Sequence, residues 1–116
     1  MKLDQRAIDQ LLEVGGEELL RQMVDLFLEL TPERLNEIAV GLDEADPDRI
    51  MRAAHFLRSS FGNLGASEPS RLATAIEARA GDGRLEEIGP MLDQLRAGFR
   101  EAAELLRRRV GADDER

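Results

Sequence analysis

The chain has a single histidine, His55, with an arginine three residues to either side, Arg52 and Arg58. On a helix that spacing brings both guanidinium groups within reach of anything attached to the ring. An uncharged imidazole is a nucleophile near neutral pH, and arginine binds anionic oxygens through paired N–H donors. The three residues together suit attack by a ring nitrogen on an anionic centre, with the charge compensated from both sides. Ser59 and Gly62, one and two turns further along the same face, are small, and Met51 precedes His55 by a turn. A lone histidine is more often a hydrogen-bonded packing residue or a solvated surface position. The packing alternative is weakened because Ile50, Ala54, Leu57, Phe61 and Leu64 gather on one helical face and His55 points away from it. The surface alternative stays open at this point.

Other chemistries find less support. There is no cysteine, hence no disulfide, no thiol nucleophile and no cysteine-based zinc site. A carboxylate-bridged metal bundle needs Glu-x-x-His pairs on two helices, and here Arg52 stands three residues before the only histidine. No metal site is expected. No glycine-rich phosphate loop is present, so the chain should not use ATP itself. A formal charge of −8 disfavours nucleic acid. The N-terminal MKLDQRAIDQ is charged where a secretory signal is apolar, and no stretch approaches the roughly 20 apolar residues of a membrane span. A cytoplasmic protein without membrane insertion is the expectation.

The elements that must position His55 are helical. Hydrophobic residues make up 42% of the chain but aromatics only 3%, which suits helix packing better than a sheet. Asp4 can cap a short helix with Ile8, Leu11 and Leu12, stopping near Gly15-Gly16. A second carries Leu20, Met23, Val24, Phe27 and Leu28 over 17–30. Thr31-Pro32-Glu33 has the chemistry of a third start, and Asp46-Pro47-Asp48 repeats it for the helix of His55, roughly 47–64. Ser67-Glu68-Pro69 opens a fifth, closed by Gly81-Asp82-Gly83. The last runs to about Arg109, with Pro90 expected to kink or restart it. Short connections favour antiparallel neighbours. The fold class is therefore all-α, an antiparallel four-helix bundle with one or two short accessory N-terminal helices. One domain is expected over 1–110, followed by a disordered charged tail over 111–116.

The run Ala54-His55-Phe56-Leu57-Arg58-Ser59-Ser60-Phe61-Gly62-Asn63-Leu64-Gly65-Ala66 resembles the signature of histidine-containing phosphotransfer (HPt) domains, A-H-x-L-K-G-S-S-x-x-L-G-A. Leu26-Phe27-Leu28-Glu29 followed by Thr31-Pro32 resembles the family's second-to-third helix junction, and Gly81-Asp82-Gly83 its turn before the last helix. The likeness extends over roughly residues 3–110. It implies that His55 is phosphorylated and exchanges the group with an aspartate of a receiver domain. Arg58 stands where the family usually has lysine, and Ser59 where it usually has the glycine that leaves room for the receiver. Glu77 falls where relatives often place a residue that orients the imidazole. Met51, Phe56, Ser59 and Gly62, with Ile8, Leu11 and Leu12 on the first helix, are the implied docking residues. Implied partners are response-regulator receiver domains and a hybrid sensor histidine kinase. The chain needs no cofactor of its own, Mg²⁺ belongs to the receiver, and a monomer is the expected state. A sensor-kinase dimerisation domain fits less well, because it normally has an acid directly after its histidine, where this chain has Phe56. The remaining rival is an unphosphorylated bundle of the same fold that only binds receivers or kinases.

Overall fold

Two aspartates set where helices begin. The Asp4 carboxylate accepts from the Arg6 N–H at 3.0 Å, and that of Asp46 from the Arg49 N–H at 3.2 Å, each satisfying an amide that an isolated helix start leaves unpaired. In the computed structural model, which describes residues 1–114, they open α1 (Gln5–Asp43) and α2 (Pro47–Asn63). There follow α3 (Ser67–Gly81), a single 3₁₀ turn over Leu85–Glu87, and α4 (Ile88–Asp114). Each helix packs on its sequence neighbours and α1 also packs on α4, which closes the ring of four. The bundle measures 48 × 21 × 21 Å, the cross-section expected of two-by-two helices at 8–10 Å spacing.

Six separate helices are not formed. The break at Gly15-Gly16 is present, with Gly16 at φ 68° and ψ −164°, a conformation glycine adopts without Cβ strain. The start at Thr31-Pro32 is absent, and α1 continues through it. Leu20, Val24, Phe27, Thr31, Leu35 and Ile38 are all buried, at spacings of three and four that keep one phase across the proline. Continuity of that stripe outweighs the ~3 kcal/mol of a proline inside a helix. Thr31 is consequently a core residue and not a cap, and its buried hydroxyl has no hydrogen-bond partner among the described residues. Pro90 lies in the first turn of α4, where its missing N–H costs nothing. The last helix reaches Asp114 instead of ending near Arg109. The expected tail is therefore helical over 111–114, and Glu115 and Arg116 lie outside the described residues.

Phe27 of α1 is the hub of the core. Its ring meets Phe61 of α2 edge-on at 5.4 Å and Phe99 of α4 at 5.3 Å. Along the core Ala53, Ala54, Ala73, Ala80, Ala102 and Ala103 are buried, small side chains that let helices approach closely. The chain's beginning is fastened to the turn after α2, where the Asp4 N–H donates to the Gly65 carbonyl at 2.8 Å. Gly65 has φ +80°, and a Cβ there would stand 2.6 Å from the Asp4 carbonyl oxygen. Only glycine fits this junction.

Candidate functional site

His55 is carried on a firmly held stretch of helix. Its neighbours Ala54 and Leu57 are fully buried, which aims the imidazole away from the core and leaves that side chain 57% exposed. From α3, whose Ala73, Ile76 and Ala80 are buried, Glu77 reaches the same surface. His55 Nδ1 lies 3.0 Å from Glu77 Oε2, and Arg58 Nη1 donates to Glu77 Oε1 at 3.4 Å. A carboxylate only accepts hydrogen bonds. The ring proton therefore belongs on Nδ1, and the lone pair of Nε2 is left for bond formation. Alongside, the Ser70 hydroxyl donates to the Arg58 carbonyl at 2.8 Å, and a Cβ on Gly62 would come within 3.4 Å of that hydroxyl. Small residues at this crossing bring α3 near enough for Glu77 to reach the ring.

On the other side of His55, towards α1, the surface is apolar. A groove of about 400 Å³ is lined by Met23, Leu26 and Leu30 of α1 and by His55, Phe56, Ser59 and Asn63 of α2, with Phe27, Ser60 and Leu64 at its base. Leu26 is 49% exposed, unusual for a large apolar side chain. Arg34 lies over the Phe56 ring, 4.5 Å from its centroid, a favourable cation–π placement that fixes the ring at the groove's rim. A second hollow, lined by Leu11, Val14, Met23, Gly62 and Asn63 among others, shares Met23 and Asn63 with the first. One apolar strip thus runs from the accessory segment before Gly16 to His55.

The residues singled out from sequence divide accordingly. His55, Arg58 and Glu77 come together as one hydrogen-bonded cluster. Arg52 stays outside it. It is exposed and lines a separate hollow with Arg34, Glu37, Asp46 and Arg49, where the Glu37 carboxyl is held below its ordinary value, chiefly by the hydrogen bond from Arg49. Phe56 and Ser59 line the groove, and Leu11 and Gly62 the second hollow. Met51 turns towards α3, its Cε 3.5 Å from where a Cβ on Gly81 would stand. Leu12 is half-buried against the core. Ile8 corrects the expectation for the first helix: at 2% exposure it is a core residue, because an accessory helix can stay attached only by burying its central apolar side chain. Met23, Leu26 and Leu30 were not among the docking residues expected from the sequence. The signal was there, since the apolar residues of 19–30 cover more of the helix than one core-facing stripe requires.

No group of three or more potential metal ligands occurs among the described residues, and none of their helices is long and apolar enough to cross a membrane. A family model described as Hpt domain matches residues 22–107. In fold the chain is similar to histidine-containing phosphotransfer protein B (HptB) from Pseudomonas aeruginosa PAO1, known from a crystal structure. The TM-score is 0.89 at 24% sequence identity, with 95% of each chain covered. No curated protein matches the chain.

Proposed function

This chain belongs to the Hpt domain family, and from that premise we propose that His55 accepts a phosphoryl group from an aspartate of one receiver domain and passes it to an aspartate of another. The observation that carries the reading is the state of the ring. It is exposed, and its Nδ1 is engaged by Glu77 at 3.0 Å while Nε2 is open for in-line attack. Arg58, on the next turn, offsets the charge of the phosphoryl oxygens. Hpt domains are carriers within phosphorelays and not kinases. In keeping with that, the transition state is stabilised mainly by the receiver, whose acidic pocket brings Mg²⁺. On this reading the donor is the receiver of a hybrid sensor histidine kinase and the final acceptor a response regulator. The carrier works in the cytoplasm as a monomer whose His55 face stays open. The apolar groove beside His55 docks both receivers.

The test is direct transfer. A receiver domain carrying labelled aspartyl phosphate is mixed with the purified protein. Label is expected on the wild type in an acid-labile, base-stable linkage, and none on His55→Gln. If phosphorylated receivers bind the wild type but deliver no label, the relay reading fails and a binding-only module takes its place.

A further inference from the structure

The surface between α1 and α2 that carries His55 is graded from one end to the other. Towards Gly16, neither the groove nor the hollow next to it has an Asp, Glu, Lys or Arg in its lining. At the opposite end, near the connection from α1 to α2, a third hollow of about 280 Å³ is lined by Arg34, Glu37, Asp46, Arg49, Arg52 and Ala53. Its two carboxylates are already engaged. Glu37 stands 2.6 Å from Arg49 Nε, and Asp46 accepts the Arg49 backbone N–H at 3.2 Å. Arg49 is held a third time, by Glu44 at 3.0 Å. Arg34 and Arg52, by contrast, have no carboxylate within ion-pair distance among the described residues. Arg34 is half-buried and kept in place by the Phe56 ring, 4.5 Å from its centroid, while Arg52 is exposed one turn before His55. Two guanidinium groups thus stand beside His55 and its neighbour Phe56 with no anion of this chain to satisfy them.

We infer that Arg34 and Arg52 form the carboxylate-receiving end of the docking surface. The partner this surface fits is a receiver with apolar contact residues on one side of its phosphorylated aspartate and acidic ones on the other. The inference rests on receivers docking beside His55. Charge is the first reason such an end is needed. The chain carries a formal −8, and a receiver must bring its own acidic pocket up to Nε2. Two acidic molecules repel at long range. A local pair of cations turns that into attraction over the last Debye length, about 10 Å at 0.1 M salt.

Direction is the second reason. A groove that is apolar along its whole length holds a partner without fixing which way round it lies. Cations at one end alone set that direction and penalise partners whose charges are arranged the other way. Arginine suits the task, because its paired N–H donors hold a carboxylate in one plane. Arg34 and Arg52 are therefore positioning residues for the partner, and Arg52 has a use that its place outside the Glu77 cluster left open.

The test follows transfer from a receiver domain carrying labelled aspartyl phosphate as salt is varied. Wild type is compared with Arg34→Gln/Arg52→Gln and with Arg100→Gln/Arg107→Gln. The second variant removes the same charge from exposed positions of α4, a helix with no residue in the groove or the hollow next to it. At about 20 mM salt and limiting receiver, the Arg34/Arg52 variant should transfer about tenfold more slowly than wild type. At about 300 mM salt the difference should fall to within about twofold. Its limiting rate at saturating receiver should match wild type, as should labelling of His55 by phosphoramidate, which needs no protein partner. The α4 variant should stay within about twofold of wild type at both salts. Equal salt dependence in wild type and the Arg34/Arg52 variant would overturn the inference. So would an equal loss in the α4 variant, since net charge alone would then explain it. The proposed function is judged separately: label that reaches both proteins equally at every salt refutes only the role of the two arginines. If no receiver labels the wild type, the proposed function fails, and the same comparison is read from calorimetric binding of the unphosphorylated receiver. There a salt-sensitive loss of affinity in the Arg34/Arg52 variant supports the inference, and unchanged affinity overturns it.

Discussion

His55 separates two kinds of surface. Towards α3 the groups are charged and hydrogen-bonded, with Glu77 and Arg58 in contact. Towards α1 they are apolar and partly exposed, with Leu26 at their centre and no charged residue in the groove wall. The contrast teaches a division of labour. Charge and proton position, which govern bond making, are set on one side. Apolar contact area, which governs how long a partner stays, is offered on the other. A residue of either side should therefore alter one property and spare the other.

The largest break is at the boundary itself. His55→Gln should lose all phosphoryl acceptance while keeping its helical circular dichroism and melting temperature, since the side chain is exposed. The next contrast is between adjacent residues of α1. Phe27 is the core hub at 2% exposure, and Phe27→Ala should cost about 3–5 kcal/mol in urea unfolding. Leu26 is half exposed, so Leu26→Asp should leave unfolding within about 0.5 kcal/mol of wild type. It should nevertheless weaken receiver binding about tenfold in a calorimetric titration, because a charge would have to be desolvated where an apolar side chain was buried. Away from both surfaces, Thr31→Val should raise stability by about 1 kcal/mol by removing a buried hydroxyl without a partner. The smallest effect concerns the Glu37–Arg49 pair, at 2.6 Å. Glu37 is held below its ordinary value of 4.5 by Arg49, so its contribution is present above that value and fades as pH falls through the lowered one. Glu37→Gln should melt slightly below wild type at pH 7, and the difference should shrink as the pH is lowered below 4.5.

The two surfaces were not equally legible in the sequence. The charged side could be read because one histidine and an arginine one turn on stand out by type and spacing, and because the family resemblance marks Glu77 as the position of a ring-orienting residue. Arg52 has the same spacing as Arg58, yet α3 passes on only one side of α2, so a symmetric pattern became an asymmetric site. The apolar side was harder because a leucine at a rim and a leucine in a core are the same letter. Ile8 was assigned outward and lies in the core, whereas Leu26 lies at the surface. The helical class and the caps at Asp4 and Asp46 followed from local chemistry. Thr31-Pro32 misled for the same reason. Its start signal is local, and the uninterrupted phase of Val24, Phe27, Thr31, Leu35 and Ile38 is what prevails once the bundle packs.

The division of labour can be measured most directly by rapid-quench phosphoryl transfer from a receiver to wild type, Glu77→Gln and Leu26→Asp over a range of protein concentrations. Glu77→Gln should lower the limiting rate and leave the half-saturating concentration in place. Leu26→Asp should raise that concentration about tenfold and preserve the limiting rate. If both variants change the same parameter, chemistry and docking are not carried by different sides of His55, and the account is contradicted.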